Sequence, residues 1–211
     1  MCETESGDPA AALPLLDEAL ALQFASLGPD HPDVAMTLNN RGSAQRRLGR
    51  LAAAQADYAR ALEIRTQVLG EHHGERGQTL DNLGLVALAQ GDAAGALALH
   101  EQALAIFTAL HGEQHDKVAG ALVHRSTAEL ALGQREVALA SARRARAILE
   151  AVVEPDPIEL ARAQLAEAAA EPEPERARRS ARQALAALQR EGTRADADVE
   201  AARALLQQLG G

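Results

Sequence analysis

Bulky side chains are scarce in this 211-residue chain, which has no tryptophan, one tyrosine and two phenylalanines. This composition excludes a large aromatic core but suits helices that pack closely through alanine. The single cysteine, Cys2, excludes an intrachain disulfide framework. The formal net charge of −9 argues against non-specific nucleic-acid binding, which needs a basic surface.

Signals for membrane insertion and export are also missing. No run of about eighteen apolar residues predicts a transmembrane helix, and the acidic N-terminal residues lack the apolar segment of a secretory signal. We therefore expect a cytoplasmic protein that has no membrane partner. Arginine is frequent, whereas lysine occurs once, at Lys117, and this bias favours a GC-rich bacterial genome.

Catalytic motifs are absent as well. The chain has no phosphate-binding glycine loop and no G-x-S-x-G, H-E-x-x-H or C-x-x-C motif. Cys2 lies at the terminus without an organised base beside it. The sequence therefore predicts no catalytic residue, no cofactor and no enzymatic activity.

The chain does contain an internal repeat with an offset of 42 residues. Within each copy, apolar residues follow helical spacing and glycines mark the breaks, so each copy predicts two antiparallel helices of unequal length. The positions that recur in three copies are Gly28, Gly70 and Gly112; His31, His73 and His115; Leu38, Leu80 and Leu122; and Gly49, Gly91 and Gly133.

A single helix pair cannot bury its own apolar face, so neighbouring copies must stack. The expected fold class is all-α, a right-handed α-solenoid of stacked antiparallel helix pairs. We expect residues 1–9 to be disordered, the repeat array to cover 10–169, and a degenerate repeat with C-terminal capping helices to cover 170–211. Residues 10–27 resemble a second helix without its first, which predicts an exposed apolar edge and self-association there.

Three sequence features together resemble the tetratricopeptide repeat of the kinesin light chain type. They are the Leu83-Gly84 pair, the Ala54 and Tyr58 pair, and the stretch LGPDHPDVAMTLNN that begins at Leu27. The resemblance covers residues 10–165 and becomes weaker towards the C-terminus. It implies a scaffold that holds a peptide or partner segment in a concave groove. The alternatives are a C-terminal regulatory segment of a larger bacterial kinase or signalling ATPase, or a metal-binding or enzymatic protein.

The same resemblance implies where a partner binds. Asparagine in the register of Asn40 and Asn82 faces the groove in that family, and its amide can both donate to and accept from a peptide backbone. The alternative is a solvated polar residue without a ligand. Arg46 and Arg47 lie close by and predict a preference for acidic or carboxylate-bearing segments. The candidate groove residues are Asn40, Ser43, Arg47, Gln78, Asp81, Asn82, His124 and Thr127.

Histidines and arginines form the remaining clusters. Equivalent histidines in successive repeats lie about 10 Å apart, too far to share an ion whose bonds to nitrogen are about 2 Å long. We therefore interpret them as polar residues near helix N-termini and predict no metal site, although the adjacent His72 and His73 leave a weak one open. Arginines at 143–146 and 176–182 indicate either solvated helix faces paired with acids such as Glu150, Glu171 and Glu175, or a docking patch for an acidic partner.

Overall fold

The structure, a computed structural model, describes residues 8–152 and 154–210, and within them it contains helices and no strand. Longer and shorter helices alternate along the repeats, as the sequence predicts. The helices are α1 (Pro9–Leu27), α2 (Pro32–Arg47), α3 (Leu51–Leu69), α4 (Gly74–Ala89), α5 (Ala93–His111), α6 (Asp116–Ala131), α7 (Arg135–Ala151), α8 (Pro157–Ala170), α9 (Pro174–Leu188) and α10 (Asp196–Gln208), with a 3₁₀ turn at Gly192–Ala195 before α10.

Glycines end the helices in a conformation that other residues rarely adopt. Gly70 follows α3 with φ of 85°, and Gly91 lies between α4 and α5 with φ of 86°. Only glycine adopts this left-handed region without strain, because any Cβ atom meets the following backbone there. The recurrence of glycine at these positions therefore fixes where α1 to α6 stop, whereas α7 and α8 end at Val152 and Glu171 without a glycine.

Histidine begins three of the shorter helices. In each case the ring Nδ1 atom accepts a hydrogen bond from a backbone N–H two residues later, which satisfies one of the unpaired donors of the first turn. This confirms the interpretation of these residues as polar groups at helix N-termini. The bonds are Asp33 N–H to His31 at 3.2 Å, Glu75 N–H to His73 at 3.3 Å, and Lys117 N–H to His115 at 3.2 Å.

The chain forms two compact units, the first ending at Ile106 and the second beginning at Phe107. In the first unit, α2 packs against α1 and α3, and α3 packs against α4. Alanines and branched residues of α2 and α3 share one core cluster with α1, which is Leu20, Val34, Ala35, Leu38, Ala61 and Ile64. In the second unit, α6 to α10 each pack against the next helix, and the core around α8 to α10 is Ile158, Ala161, Ala184, Leu188, Ala195 and Ala202.

The N-terminal boundary differs from its prediction. Residues 1–7, predicted to be disordered, lie outside the described part of the chain, but Asp8 and Pro9 already belong to the start of α1. The Asp8 carboxylate accepts a hydrogen bond from Ala10 N–H at 2.9 Å, and Pro9 occupies the first turn, where its missing N–H costs nothing. The predicted division between a repeat array and capping helices stays a prediction.

Two helices, α1 and α5, are long and apolar enough to cross a membrane by length and composition alone. Each has 19 residues and a mean hydropathy of 1.3. Neither is a continuous apolar run, because isolated polar residues interrupt them, and the sequence therefore gave no prediction of a span. Both occupy the second-helix position of a repeat, since Ala19-Leu20, Ala61-Leu62 and Ala103-Leu104 recur at an offset of 42. Of the most apolar stretch of each helix, 11% is buried in α1 and 28% in α5.

Candidate partner-binding face

The first helices of the first unit, α2 and α4, carry the candidate groove residues Asn40 and Asn82. Asn40 is half-buried on α2 and makes no hydrogen bond or ion pair with the described residues. Its amide therefore offers both a donor and an acceptor to a ligand. Among the candidate groove residues, Asn40 best fits the role that the sequence suggested.

Asn82 is also half-buried, but part of its hydrogen-bonding capacity is used within the protein. Its Nδ2 atom donates to the Oδ1 atom of Asn39 at 3.3 Å, which joins α4 to α2. Asn39 is only 6% exposed and also accepts from Nη1 of Arg65 at 3.4 Å. The repeat register pointed to the neighbouring Asn40 and did not indicate that Asn39 is a structural residue.

Arg65 holds this network together from α3. Its side chain is 3% exposed, and its Nη1 atom donates to the backbone oxygen of Glu75 at 3.0 Å and to the hydroxyl of Thr79. Burial lowers the pKa of Arg65, while the nearby Glu75 carboxylate opposes that shift. The sequence held only part of a signal for this role, since the same register is polar at Gln23 and apolar at Phe107 and Leu149, and an arginine where later repeats place apolar residues indicates a buried polar contact.

Ser43 and Asp81, two further candidate groove residues, instead hold bulky side chains of the second helices. The hydroxyl of Ser43 lies 2.9 Å from the hydroxyl of Tyr58, and a carboxylate oxygen of Asp81 lies 2.7 Å from Nδ1 of His100. Tyr58 and His100 are fully buried. Burial raises the pKa of the Tyr58 phenol, against the effects of the Ser43 hydrogen bond and of the nearby Arg46 charge.

Arg41 occupies the register that holds Leu83 in the next repeat, and it forms ion pairs with two aspartates. Its guanidinium binds the carboxylate of Asp57 through two hydrogen bonds, of 2.7 Å and 2.6 Å, and binds Asp17 at 2.7 Å. The hydrogen bond to Asp57 is the main reason that the pKa of Arg41 lies above its usual value. Arg41 thus joins α2 to both α1 and α3, and it does not reach out towards a partner.

The other candidate residues divide between the two units. In the first unit, Gln78 is exposed and makes no hydrogen bond with the described residues, and Arg47 is exposed at the end of α2. In the second unit, His124 is half-buried, and the Thr127 hydroxyl donates to the backbone oxygen of Val123 at 3.1 Å. Met36 lies one helical turn before Asn40 and is 47% exposed, so its side chain offers an apolar contact beside Asn40.

The arginine clusters are mostly paired with acids, as one of the two interpretations expects, and the docking patch for an acidic partner stays a prediction. Arg143 binds both Glu167 and Glu171 in the second unit. The pairings with the three acids named from the sequence are Arg143–Glu171 at 2.9 Å, Arg146–Glu150 at 3.5 Å and Arg178–Glu175 at 2.6 Å. Arg179 and Arg182 make no ion pair with described residues and line an open cleft of about 460 Å³ on α9.

The fold and the repeated caps define a helical-repeat solenoid, the class of protein in which each unit stacks on its neighbours. Three overlapping stretches match the model of the tetratricopeptide repeat, over residues 1–67, 33–108 and 75–151. The chain therefore belongs to the tetratricopeptide repeat family. This family is typically a non-enzymatic scaffold for protein interaction.

Solved structures confirm the kinesin light chain resemblance at the level of the fold. BtubC (BKLC) from P. vanneervenii superposes with a TM-score of 0.69 at 23% identity, covering 97% of this chain and 76% of that one. A Podosopora anserina protein described as a kinesin light chain with nearly identical TPR-like repeats gives a TM-score of 0.66 at 20% identity, covering 97% and 90%. A comparison with curated protein sequences gives no match.

Proposed function

We propose that the chain is an interaction scaffold that holds an extended segment of a partner protein against the solvent-facing side of α2 and α4. The observation that carries this proposal is Asn40, a half-buried amide on α2 that has no hydrogen-bonding partner among the described residues. A peptide backbone supplies the donor and acceptor that such an amide needs. Exposed Met36 and half-buried Leu85 add apolar contact on the same helices.

The polar network beneath these helices supports the proposal because it fixes their spacing. Asn39, Arg65 and Asn82 join α2, α3 and α4 through a buried hydrogen bond and a partly buried one. A peptide that binds across both helices therefore meets a preformed surface and does not have to order it. Pre-organisation of this kind raises affinity by removing an entropic cost of binding.

Arg47 is the residue proposed to select the partner. Arg46 lies beside the Tyr58 hydroxyl, whereas Arg47 is exposed one turn beyond Ser43. A guanidinium binds a carboxylate through two parallel hydrogen bonds. Segments with acidic side chains or a free C-terminal carboxylate should therefore bind better than basic ones, and salt should weaken their binding.

The test uses a library of short unstructured peptides that vary in charge and in the presence of a free C-terminus. Peptides retained by the 211-residue chain are labelled, and their affinity is measured by fluorescence anisotropy for the wild type and for Asn40→Ala. We expect the substitution to weaken binding by about 1–3 kcal/mol, the scale for an unpaired polar group. The melting temperature should not change, since Asn40 makes no hydrogen bond with the described residues.

Two further variants make the test specific. Gln67→Ala removes an exposed amide from the second helix α3 and serves as the matched control, so it should leave binding unchanged. Asn82→Ala should weaken binding and also reduce stability by about 1 kcal/mol, because it removes the hydrogen bond to Asn39. The proposal fails if peptides bind equally well to the wild type and to Asn40→Ala.

A further inference from the structure

The first helix of the described chain presents an apolar face that is covered in every later repeat. Leu22 of α1 is 64% exposed, whereas its equivalents at the 42-residue offset, Ile64, Ile106 and Ile148, are buried at 0%, 5% and 2%. In α3, Ile64 is covered by Val34, Ala35 and Leu38 of α2, with which it shares a core cluster. The face of α1 that includes Leu22 is therefore built to pack against another helix.

Four residues on this face follow the spacing of a helix–helix seam. Ala12, Leu15, Ala19 and Leu22 are separated by intervals of three, four and three residues, the pattern with which two helices interlock along their length. Leu15 and Leu22 are exposed, and the two alanines are half-buried. We call these four residues the α1 seam.

We propose that the α1 seam binds the α1 seam of a second copy of this chain, with the two helices antiparallel. The seam reads small, large, small, large from Ala12 to Leu22, so its reversal places each alanine opposite a leucine. Ala12 then meets Leu22 of the second copy, and Leu15 meets its Ala19. An isologous contact of this kind is self-complementary across a two-fold axis, and alternating large and small residues allow close packing.

The chemistry of the seam favours a second α1 over the helix α2 of another copy. In the next repeat, the register of Leu15 is occupied by Asp57, which binds Arg41 of α2. If α2 of another copy packed on the seam, Arg41 would face Leu15 and its charge would be buried without an acidic partner, which is costly. A second α1 instead presents Ala19 there, and the whole seam contains no charged side chain.

The size and edge of the seam set the expected strength of the dimer. One helix of 19 residues contributes the whole contact, so the interface lies at the small end of specific interfaces and the dimer should depend on concentration. Glu18 is exposed and lies beside the seam near its centre. The two Glu18 carboxylates repel each other across the two-fold axis, so added salt should strengthen the dimer.

The test measures the molar mass of the 211-residue chain by sedimentation equilibrium over a wide range of concentrations. We expect a monomer–dimer equilibrium that the double variant Leu15→Glu, Leu22→Glu removes, with an unchanged helical spectrum and melting temperature. Val68→Glu, which changes a residue of α3 that is 50% exposed, is the matched control and should dimerise as the wild type does. A wild type that stays monomeric throughout, or a seam variant that still dimerises, overturns the proposal.

Cross-linking tests the antiparallel arrangement in a Cys2→Ser background, treated with a short thiol-reactive bifunctional reagent. The double variant Ala12→Cys, Leu22→Cys should give cross-linked dimers, because the two positions face each other across the axis. Leu22→Cys alone should not, since two Leu22 residues then lie about 15 Å apart along the helices. Efficient cross-linking through Leu22→Cys alone would indicate parallel helices and overturn the proposal. The proposal is also overturned if the chain stays monomeric and its seam instead binds a synthetic peptide of residues 74–89, the sequence of α4.

Discussion

Replacing Gly84 by alanine should destabilise the first unit because the space beside it is filled by His100. A Cβ atom at Gly84 would lie 2.5 Å from Cε1 of His100, well inside any normal contact. His100 is fully buried and bound to Asp81 at 2.7 Å, so its ring cannot easily move away. Overpacking of this kind costs about 1–3 kcal/mol, while alanine recovers about 1 kcal/mol of helix propensity. We expect a net loss of about 0–2 kcal/mol.

The chain supplies both a control and a rescue for this prediction. Gly120 lies inside α6, and a Cβ atom added to it would have no neighbouring atom within 4 Å, so Gly120→Ala should stabilise by about 0.5–1 kcal/mol. In the third repeat, the equivalents of Gly84 and His100 are Ser126 and Ala142, both buried. The Ser126 side chain fits there because Ala142 is small, and its hydroxyl donates to the backbone oxygen of Ala138 at 2.8 Å. His100→Ala should therefore relieve the clash in the Gly84→Ala variant.

The assay is chemical denaturation of the wild type and the three variants that make up a double-mutant cycle. The near-ultraviolet signal of Tyr58, the one tyrosine of the chain, reports on the first unit, and circular dichroism reports on helix content. Loss of the clash predicts a favourable coupling energy of about 1–3 kcal/mol between Gly84→Ala and His100→Ala, because the gain in helix propensity cancels in the cycle. If Gly84→Ala is as stabilising as Gly120→Ala, the reasoning about paired volumes is wrong.

Three other changes test the repeat and its buried polar groups. Deleting residues 51–92, one full period, should leave a folded helical array by circular dichroism, whereas deleting half of that segment should not, since it would bring helices of the wrong type together. Changing both Arg41 and Asp57 to leucine should preserve or raise the melting temperature, while Asp57→Ala alone should lower it by leaving Arg41 partly unpaired. Burial raises the pKa of the Tyr58 phenol above its usual value of 10.0, so the stability contributed by the buried neutral phenol is complete below pH 10.0 and is lost at higher pH. Phenolate absorbance should therefore appear only above pH 10.0, together with unfolding. Tyr58→Phe should remove this loss of stability at alkaline pH.

The sequence predicted the helices well because their ends depend on local chemistry. Gly70 and Gly91 stop helices through their own backbone freedom, and His73 begins one by accepting from an N–H two residues later. The 42-residue offset repeats these signals, so each copy supports the assignment of the others. No contact between distant parts of the chain is needed to place these boundaries.

The candidate site was harder to predict because side-chain partners depend on packing between helices. Ser43 and Asp81 occupy positions suited to a groove, yet they bind Tyr58 and His100, which lie more than a dozen residues away. The periodicity shows which face a residue lies on, but it does not show whether a neighbouring helix already uses its polar atoms. Asn40 and Asn82 share one register and still differ in this respect, because Asn82 has Asn39 within reach.

Pairs of registers carry information that single registers lack. Arg41 alone looks like a departure from the repeat, because a leucine belongs at its position. Together with Asp57 it replaces one apolar pair by one ion pair, since Leu83 and Leu99 occupy the same two registers in the next repeat. A substitution that would be costly alone is thus matched by a second substitution sixteen residues later, on the helix that packs against it.

The same comparison of registers separates the two surfaces proposed to bind partners. At the α1 seam, Leu22 is exposed although its equivalents in later repeats are buried, so the missing contact is apolar and a self-complementary helix satisfies it. On α2 and α4, most apolar positions are already buried or half-buried, and the polar groups offered beside exposed Met36 are the amides of Asn40 and Gln78 and the guanidinium of Arg47. Burial of apolar area would drive association at the seam, whereas hydrogen bonds and charge would select the ligand on α2 and α4. Salt should therefore act in opposite directions at the two surfaces, since it screens repulsion between Glu18 residues at the seam and attraction by Arg47 on α2.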